Sequence, residues 1–180
     1  LALIGDNGQG KTNLLEAVHL LCVTRGFRTR RLNQFTRFAQ TSFSISGSFA
    51  TDIHGSRTGK VSSKSSKLIF ELDGSPVSGA AEYFGAFPLV ILSPESLEIS
   101  SGGPGLRRRY LDRLISFSSK VYLELLRKYQ RALKQRFSLL LLEGVSSKSL
   151  DVWENELAKC AFEIICRRSE FISSFYQLFK

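Results

Sequence analysis

No methionine occurs among the 180 residues, and cysteine, histidine and tryptophan are scarce. Because an initiator residue is missing, we expect the chain to be an internal piece of a longer protein. The three cysteines form no Cys-x-x-Cys pair, and an odd number favours reduced thiols in a cytoplasmic protein. The two histidines, His19 and His54, are far apart, which argues against a structural zinc site.

Long apolar runs are also missing. No stretch approaches the roughly 20 apolar residues that a membrane-spanning helix needs, and no signal peptide is visible. Acidic residues are few compared with basic ones: 16 Asp and Glu face 25 Lys and Arg, for a net charge of +9. This balance favours a polyanionic partner such as nucleic acid or a membrane surface, and a protein that is merely basic is the alternative.

One motif dominates what is present. Residues 5–12, Gly-Asp-Asn-Gly-Gln-Gly-Lys-Thr, fit the phosphate-loop pattern G-x-x-x-x-G-K-[ST]. Glycines let backbone N–H groups turn toward phosphate oxygens, Lys11 supplies a cation and the Thr12 hydroxyl is placed to ligate Mg²⁺. An apolar run, residues 1–4, predicts a buried parallel strand before the loop, and Leu14, Val18 and Leu21 predict a helix over 12–24. A dinucleotide-binding loop is disfavoured because its third glycine is missing.

Beyond this helix the pattern predicts a sheet. Alternation over Phe43, Ile45, Gly47 and Phe49, and over Leu68, Phe70 and Leu72, indicates antiparallel strands with a hairpin turn at Asp73-Gly74. The Gly- and Ser-rich stretch 54–66 is expected to be a mobile basic loop, and residues 87–92 a buried strand. These elements form a predicted α/β lobe over residues 1–92.

Residues 93–180 are predicted to form a second, helical lobe. Helical spacing indicates a short helix over 107–117, a longer one over 119–142 and a last one starting near Asp151, with Glu154 completing its cap. The long helix is expected to bury seven residues: Tyr122, Leu125, Leu126, Tyr129, Leu133, Phe137 and Leu140. We interpret the aromatic stripe of the last helix as core, because it follows the 3.6-residue period.

Acidic residues are absent between Ala17 and Thr51, a window that contains five arginines just beyond the phosphate loop. Such a cluster can contact a nucleotide or a nucleic-acid backbone, and a solvated basic loop is the alternative. The candidate DNA contacts are Arg25, Arg28, Arg30, Arg31, Lys60 and Lys64.

Several segments together resemble the RecF family of bacterial DNA replication and repair proteins. Residues 5–17 resemble its phosphate loop, a G-x-N-G-x-G-K-T-N form shared with SMC and Rad50 proteins. Residues 25–29 (RGFRT) resemble R-S-F-R-T, residues 92–97 (LSPESL) resemble S-P-E-D-L, and residues 102–112 (GGPGLRRRYLD) resemble G-S-P-x-x-R-R-R-F-L-D. The similarity runs through the whole chain in order.

The resemblance implies an ABC-type ATPase head: a P-loop NTPase lobe with an antiparallel sheet, plus a helical second lobe. ATP and Mg²⁺ are the implied cofactors, held by Gly5, Asp6, Asn7, Gly8, Gln9, Gly10, Lys11, Thr12 and Asn13, with Thr12 on the metal. The resemblance implies slow, DNA-dependent ATP hydrolysis for the longer protein only. The signature motif and the Walker B acid, which complete the nucleotide site in that family, lie beyond this chain.

The implied biology is recombinational repair, replication restart and the SOS response in the cytoplasm. Family members dimerise on ATP, recognise gapped DNA at junctions of single strand and duplex, and act with RecR and RecO to load RecA. Three alternatives remain: a cassette-headed nuclease of the overcoming-lysogenisation-defect type, a coiled-coil head of the SMC kind, and a small-molecule P-loop kinase.

Overall fold

The computed structural model describes residues 2–27, 32–51, 55–64, 67–142 and 147–178. The chain divides into two compact units, Leu1–Ile91 and Leu92–Lys180. In the described residues no helix has the length and apolar character needed to cross a bilayer.

The first unit is built on a four-stranded antiparallel sheet in the order β1-β2-β3-β4. Its strands are β1 (Ser44–Thr51), β2 (Gly55–Lys64), β3 (Lys67–Leu72) and β4 (Ser75–Val77). The predicted turn joins β3 to β4: Asp73 and Gly74 have φ angles of 51° and 79°. Positive φ at both central residues matches the twist of paired strands, which explains why Asp-Gly occurs here.

The loop expected over residues 54–66 was a wrong prediction for most of its length, because Gly55–Lys64 is the ten-residue strand β2. It lies between β1 and β3 and pairs with both of them. Its alternate residues Val61 and Ser63 are buried on the core side. Neighbours on both edges supply the backbone hydrogen bonds, so a Gly- and Ser-rich composition does not prevent strand formation.

Helix α1 (Lys11–Val23) confirms the helix predicted after the phosphate loop, although its buried side differs. Leu14 and Val18 are 52% and 37% exposed, whereas Leu21 is buried. Leu21 lies over Gly47 of β1, where an added Cβ would come within 2.9 Å of the leucine Cδ2. The last turns of α1 therefore contact the sheet.

Paired glycines make room on this core face of the sheet. Gly47 and Gly59 are directly opposite each other in β1 and β2. A Cβ on Gly59 would collide with the Tyr83 hydroxyl and lie 2.6 Å from Phe87 Cε2. Tyr83, at the end of the short helix α2 (Ala80–Tyr83), and Phe87 thus pack against bare backbone. A 3₁₀ turn, Leu32–Phe35, precedes β1.

Two predicted strands do not form. Residues 2–4 and 87–92 have no strand pairing, and Ile4 and Leu92 are 92% and 88% exposed. A buried parallel strand needs a hydrogen-bonded neighbour on each side, and in the described parts of the chain neither segment has one. Apolar composition alone therefore misled both predictions.

The second unit is helical, as expected. After a 3₁₀ turn (Pro94–Leu97) it contains α3 (Glu98–Ser101), α4 (Pro104–Ser118), α5 (Lys120–Leu140) and α6 (Ser147–Gln177). Its core comprises Ile115, Tyr122, Leu125, Cys160 and Ile164. The Ser119 side chain caps α5 by accepting a hydrogen bond from the Tyr122 N–H.

Details of the helical unit correct the sequence prediction. Helix α6 starts at Ser147, so Asp151 lies inside it instead of capping it, and Glu154 forms an ion pair with Arg136 at 2.8 Å. In α5 the first half packs as predicted, but Leu133, Phe137 and Leu140 are 42%, 62% and 50% exposed. These side chains in the C-terminal half of α5 are therefore largely open to solvent.

Candidate functional site

The phosphate loop is an exposed turn between residues 2–6, which have no regular secondary structure, and α1. Gly8 and Gly10 have φ angles of 88° and 82°, in the left-handed region that favours glycine. A Cβ added to either glycine would meet no heavy atom within 4 Å. The backbone at these two positions is therefore open to close approach by another group.

The start of α1 adds a concentration of hydrogen-bond donors to this turn. Gly10 occupies the capping position without a side-chain cap, and the first turn holds no acidic residue. The first N–H groups of a helix have no intrahelical acceptor, and the helix dipole adds partial positive charge there. An uncapped helix start beside an open glycine turn is suited to binding an anion.

Lys11 places its ammonium group against the loop. Its Nζ donates to the carbonyl oxygens of Gly5 and Asp6, both at 2.6 Å. An ammonium has three donors, so one remains after these two bonds. Thr12 and Asn13 are exposed in the first helical turn. Backbone amides, one ammonium and a hydroxyl, with no acidic residue in the first helical turn, form a donor set that fits a polyphosphate and its Mg²⁺.

The far end of α1 is anchored by a contact that the sequence analysis did not predict. The buried His19 makes a 2.6 Å hydrogen bond through Nδ1 with the Arg25 carbonyl, and its ring meets Phe27 edge-on at 5.6 Å. Nearby, burial raises the pKa of the Cys22 thiol. Such a thiol is inert, so Cys22 has a packing role. A lone histidine on a helix gives no sequence signal for this contact.

The candidate DNA contacts are only partly described. The Arg25 side chain is exposed just after α1, whereas Arg28, Arg30 and Arg31 lie outside the described residues. Lys60 and Lys64 share the outer face of β2, opposite Glu71 and Lys67 respectively. Lys60 forms a 2.8 Å ion pair with Glu71, while Lys64 faces another lysine at the end of the strand. The outer face of the sheet is therefore basic at this end.

A family model described as "AAA domain, putative AbiEii toxin, Type IV TA system" matches residues 1–157. The DNA replication and repair protein RecF of Chlorobium luteolum is 36% identical over 175 residues, covering 94% of this chain and 47% of the relative. RecF of Stutzerimonas stutzeri is 34% identical, covering 99% and 48%. The chain thus spans about half the length of the curated relatives it matches.

Solved structures agree with the sequence comparison. A structure of "the recombination mediator protein RecF-ATPrS in RecFOR pathway" matches with a TM-score of 0.86 at 33% identity, covering 94% of this chain and 47% of that one. The corresponding RecF-ATP structure matches with a TM-score of 0.85. These matches confirm the predicted α/β ATPase-head fold with its antiparallel sheet and helices. The chain belongs to this AAA-domain family, and its resemblance to RecF is confirmed.

Proposed function

We propose that the phosphate loop binds ATP with Mg²⁺ and that this binding controls association with DNA during replication and repair. The observation that carries the proposal is the open Gly8–Gly10 turn leading into an uncapped helix, with the Lys11 ammonium held beside it. The names of the relatives support the biological setting, since they are DNA replication and repair proteins.

Each loop residue has a distinct proposed role. The amides of residues 7–11 bind phosphate oxygens, and the Lys11 ammonium neutralises charge on the outer phosphates. The Thr12 hydroxyl holds Mg²⁺, which when bound neutralises and orients the phosphate oxygens. Gly5, Asp6 and Asn13 flank this set, and the Gly5 and Asp6 carbonyls fix the position of the lysine.

The finer proposal follows the family. ATP drives two copies of the full-length protein to dimerise, slow hydrolysis releases them, and the dimer selects junctions of single-stranded and duplex DNA. RecR and RecO act with it to load RecA. The candidate contacts Arg25, Arg28, Arg30, Arg31, Lys60 and Lys64 are proposed to meet the DNA backbone in this state.

A binding experiment tests nucleotide control. Fluorescence anisotropy measures binding of the full-length protein to gapped duplex DNA at fixed salt, with and without ATP–Mg²⁺. We expect ATP to raise the DNA affinity of the unmodified protein. Lys11→Ala should abolish this increase in affinity, and with it ATP-dependent dimerisation, because the variant lacks the cation at the outer phosphates.

Lys148→Ala is a matched control, because this exposed lysine of α6 lies in the other unit. It should retain the gain from ATP. Unchanged ATP affinity in Lys11→Ala, or equal DNA affinity of the unmodified protein with and without ATP, would refute nucleotide control.

A further inference from the structure

Positive charge is concentrated in one part of the chain. Residues 104–140, which span α4 and α5, contain ten Lys and Arg against two Asp and Glu, so they account for +8 of the net charge of +9. The remaining residues are close to electrically balanced. The basic character of the protein is therefore largely a property of two neighbouring helices.

Four of these cations form a line on α5. Lys120, Arg127, Arg131 and Lys134 are all exposed. At 100° per residue they fall within about 60° of the helix circumference, and at 1.5 Å per residue they span about 21 Å. The buried residues Tyr122, Leu125 and Ala132 are on the opposite side. We call Lys120, Arg127, Arg131 and Lys134 the α5 stripe.

No residue of the stripe forms an ion pair among the described residues, whereas some other basic side chains of this unit have acceptors. Arg136 pairs with Glu154, Arg168 with Asp112 and Arg167 with Glu163. Arg107 donates to the carbonyls of Gly102 and Ile99. These pairings show that intramolecular acceptors are available in the helical unit, yet the stripe lies away from them.

Glu124 is spaced favourably from Lys120 and Arg127, but the C-terminal part of the stripe has no acidic residue at three or four positions' distance. Arg127 and Arg131 are four residues apart, and Arg131 and Lys134 are three apart. Like charges at these distances destabilise a helix by about 0.2–0.5 kcal/mol per pair. A polyanion along the stripe removes this repulsion.

The chemistry of the stripe favours a nucleic-acid backbone as its partner. Guanidinium groups match phosphate geometry, and counterion release rewards several cations in a row. The exposed residues between and beside the stripe cations, Glu124, Gln135 and Ser138, are polar. Leu133, Phe137 and Leu140 of α5 are exposed as well, so a membrane surface is the alternative that the vesicle measurement below separates from DNA. A protein interface is usually centred on buried aromatic anchors.

We propose that the α5 stripe binds the phosphodiester backbone of DNA without reading sequence. This inference rests on the proposed function for its choice of DNA, but it concerns a different surface and requires no nucleotide. The stripe is in the helical unit, whereas the phosphate loop and the candidate contacts on β2 are in the other.

The test compares two triple variants of the full-length protein with equal charge change. Arg127→Gln/Arg131→Gln/Lys134→Gln neutralises the stripe, and Lys148→Gln/Lys159→Gln/Arg167→Gln removes three charges from α6. Binding of duplex DNA is measured from 50 to 200 mM salt without nucleotide. In the stripe variant the negative slope of log K against log[salt] should become shallower by about 2–3, because each phosphate contact contributes about 0.9 to its magnitude. Binding should also weaken at least about tenfold.

The α6 variant should leave the slope nearly unchanged, and circular dichroism checks that both variants fold. Equal slope changes in the two variants would overturn the proposal by showing that only net charge matters. Loss of binding to phosphatidylserine vesicles with DNA binding intact would overturn it in favour of a membrane surface.

Repeating the titration with ATP–Mg²⁺ separates the two proposals. If the stripe variant binds weakly but still gains affinity from ATP, the stripe proposal and nucleotide control both hold. If the unmodified protein gains nothing from ATP, nucleotide control fails while the slope difference still supports the stripe.

Discussion

Tyr83 is an unusual residue in the first unit because its side chain is fully buried and its hydroxyl has no hydrogen-bond partner in the described structure. Burial raises its pKa to about 12. Its ring packs beside Phe70 and Phe87, with centroids at 5.3 and 6.0 Å. The ring therefore contributes packing, while the hydroxyl carries a desolvation cost.

Tyr83→Phe should leave stability at pH 7 unchanged or raise it by up to about 1 kcal/mol, because no hydrogen bond is lost. The pKa of Tyr83 in the folded protein exceeds its value near 10 in the unfolded chain. The free energy of unfolding that is linked to the neutral Tyr83 hydroxyl is therefore complete below pH 10 and declines as the pH rises toward 12. The variant should lack this decline, which is worth about 2–3 kcal/mol at pH 12. Urea unfolding at pH 8 and at pH 10–11.5 measures the difference; parallel losses in both proteins would contradict it.

The phosphate-loop pattern is local in the sequence, whereas the position of Tyr83 is not. The loop is eight consecutive residues whose roles are backbone conformation, one ammonium and one hydroxyl, so the information is local. The position of Tyr83 depends on Gly59, 24 residues earlier, which has no side chain to block it. Nothing in the local pattern around either residue reports that contact.

Three helices of the second unit meet at one ionic cluster. Asp112 of α4 accepts two hydrogen bonds from Arg168 of α6, each at 2.8 Å, and one from the Tyr122 hydroxyl of α5 at 2.6 Å. Burial, and then the bond to Asp112, raises the pKa of Tyr122 above its ordinary value. Both charged side chains are about one-fifth exposed, so removing one partner leaves a largely desolvated charge.

We expect Asp112→Ala and Arg168→Ala each to destabilise the protein by about 2–3 kcal/mol, less than the 3–5 kcal/mol for a fully buried pair. The double variant should cost about 1–3 kcal/mol less than the sum, because it leaves no unpaired charge. Urea unfolding of the four proteins gives this coupling energy. Arg136→Ala and Glu154→Ala form a control cycle at an exposed ion pair, where we expect a coupling energy below about 1 kcal/mol. Additive effects of Asp112→Ala and Arg168→Ala would contradict the prediction that this cluster stabilises the packing of the three helices.

Elements with a clear local pattern, including the alternating strands β1 and β3, were predicted well, whereas β2 and residues 87–92 were not. Helix α1 follows from a motif, the Asp73-Gly74 turn from a turn dipeptide, and the start of α5 from helical spacing. The strand β2 was missed because its Gly and Ser composition is typical of loops, whereas its strand character comes from neighbours on both sides. Residues 87–92 show the converse, since an apolar run without a pairing partner forms no strand.

At the scale of the whole molecule, tryptophan fluorescence reports on only one of the two compact units. The single tryptophan, Trp153, is on α6 in the second unit, whereas the paired glycines are in the first. A local change in the sheet can therefore be followed separately from the helices. We expect each unit to respond mainly to changes in its own core.

Gly59→Ala should destabilise the first unit by about 1–3 kcal/mol, because its Cβ collides with Tyr83 and Phe87. Amide hydrogen exchange should become faster in residues 55–72 but not in residues 120–140. The urea concentration at the midpoint of the Trp153 fluorescence transition should stay unchanged. Gly79→Ala is the matched control, since an added Cβ there meets no atom within 4 Å. An equal shift of the Trp153 transition would show that the units unfold together.

The opposed Gly47 and Gly59 have a further consequence, for strand alignment. A slip of one residue between β1 and β2 turns every side chain of one strand to the other face. A slip of two places Ile45 or Phe49 opposite Gly59, in the position of Gly47, where even a Cβ comes within 2.9 Å of Leu21 Cδ2. We therefore expect the two missing side chains to disfavour misaligned pairing of β1 and β2.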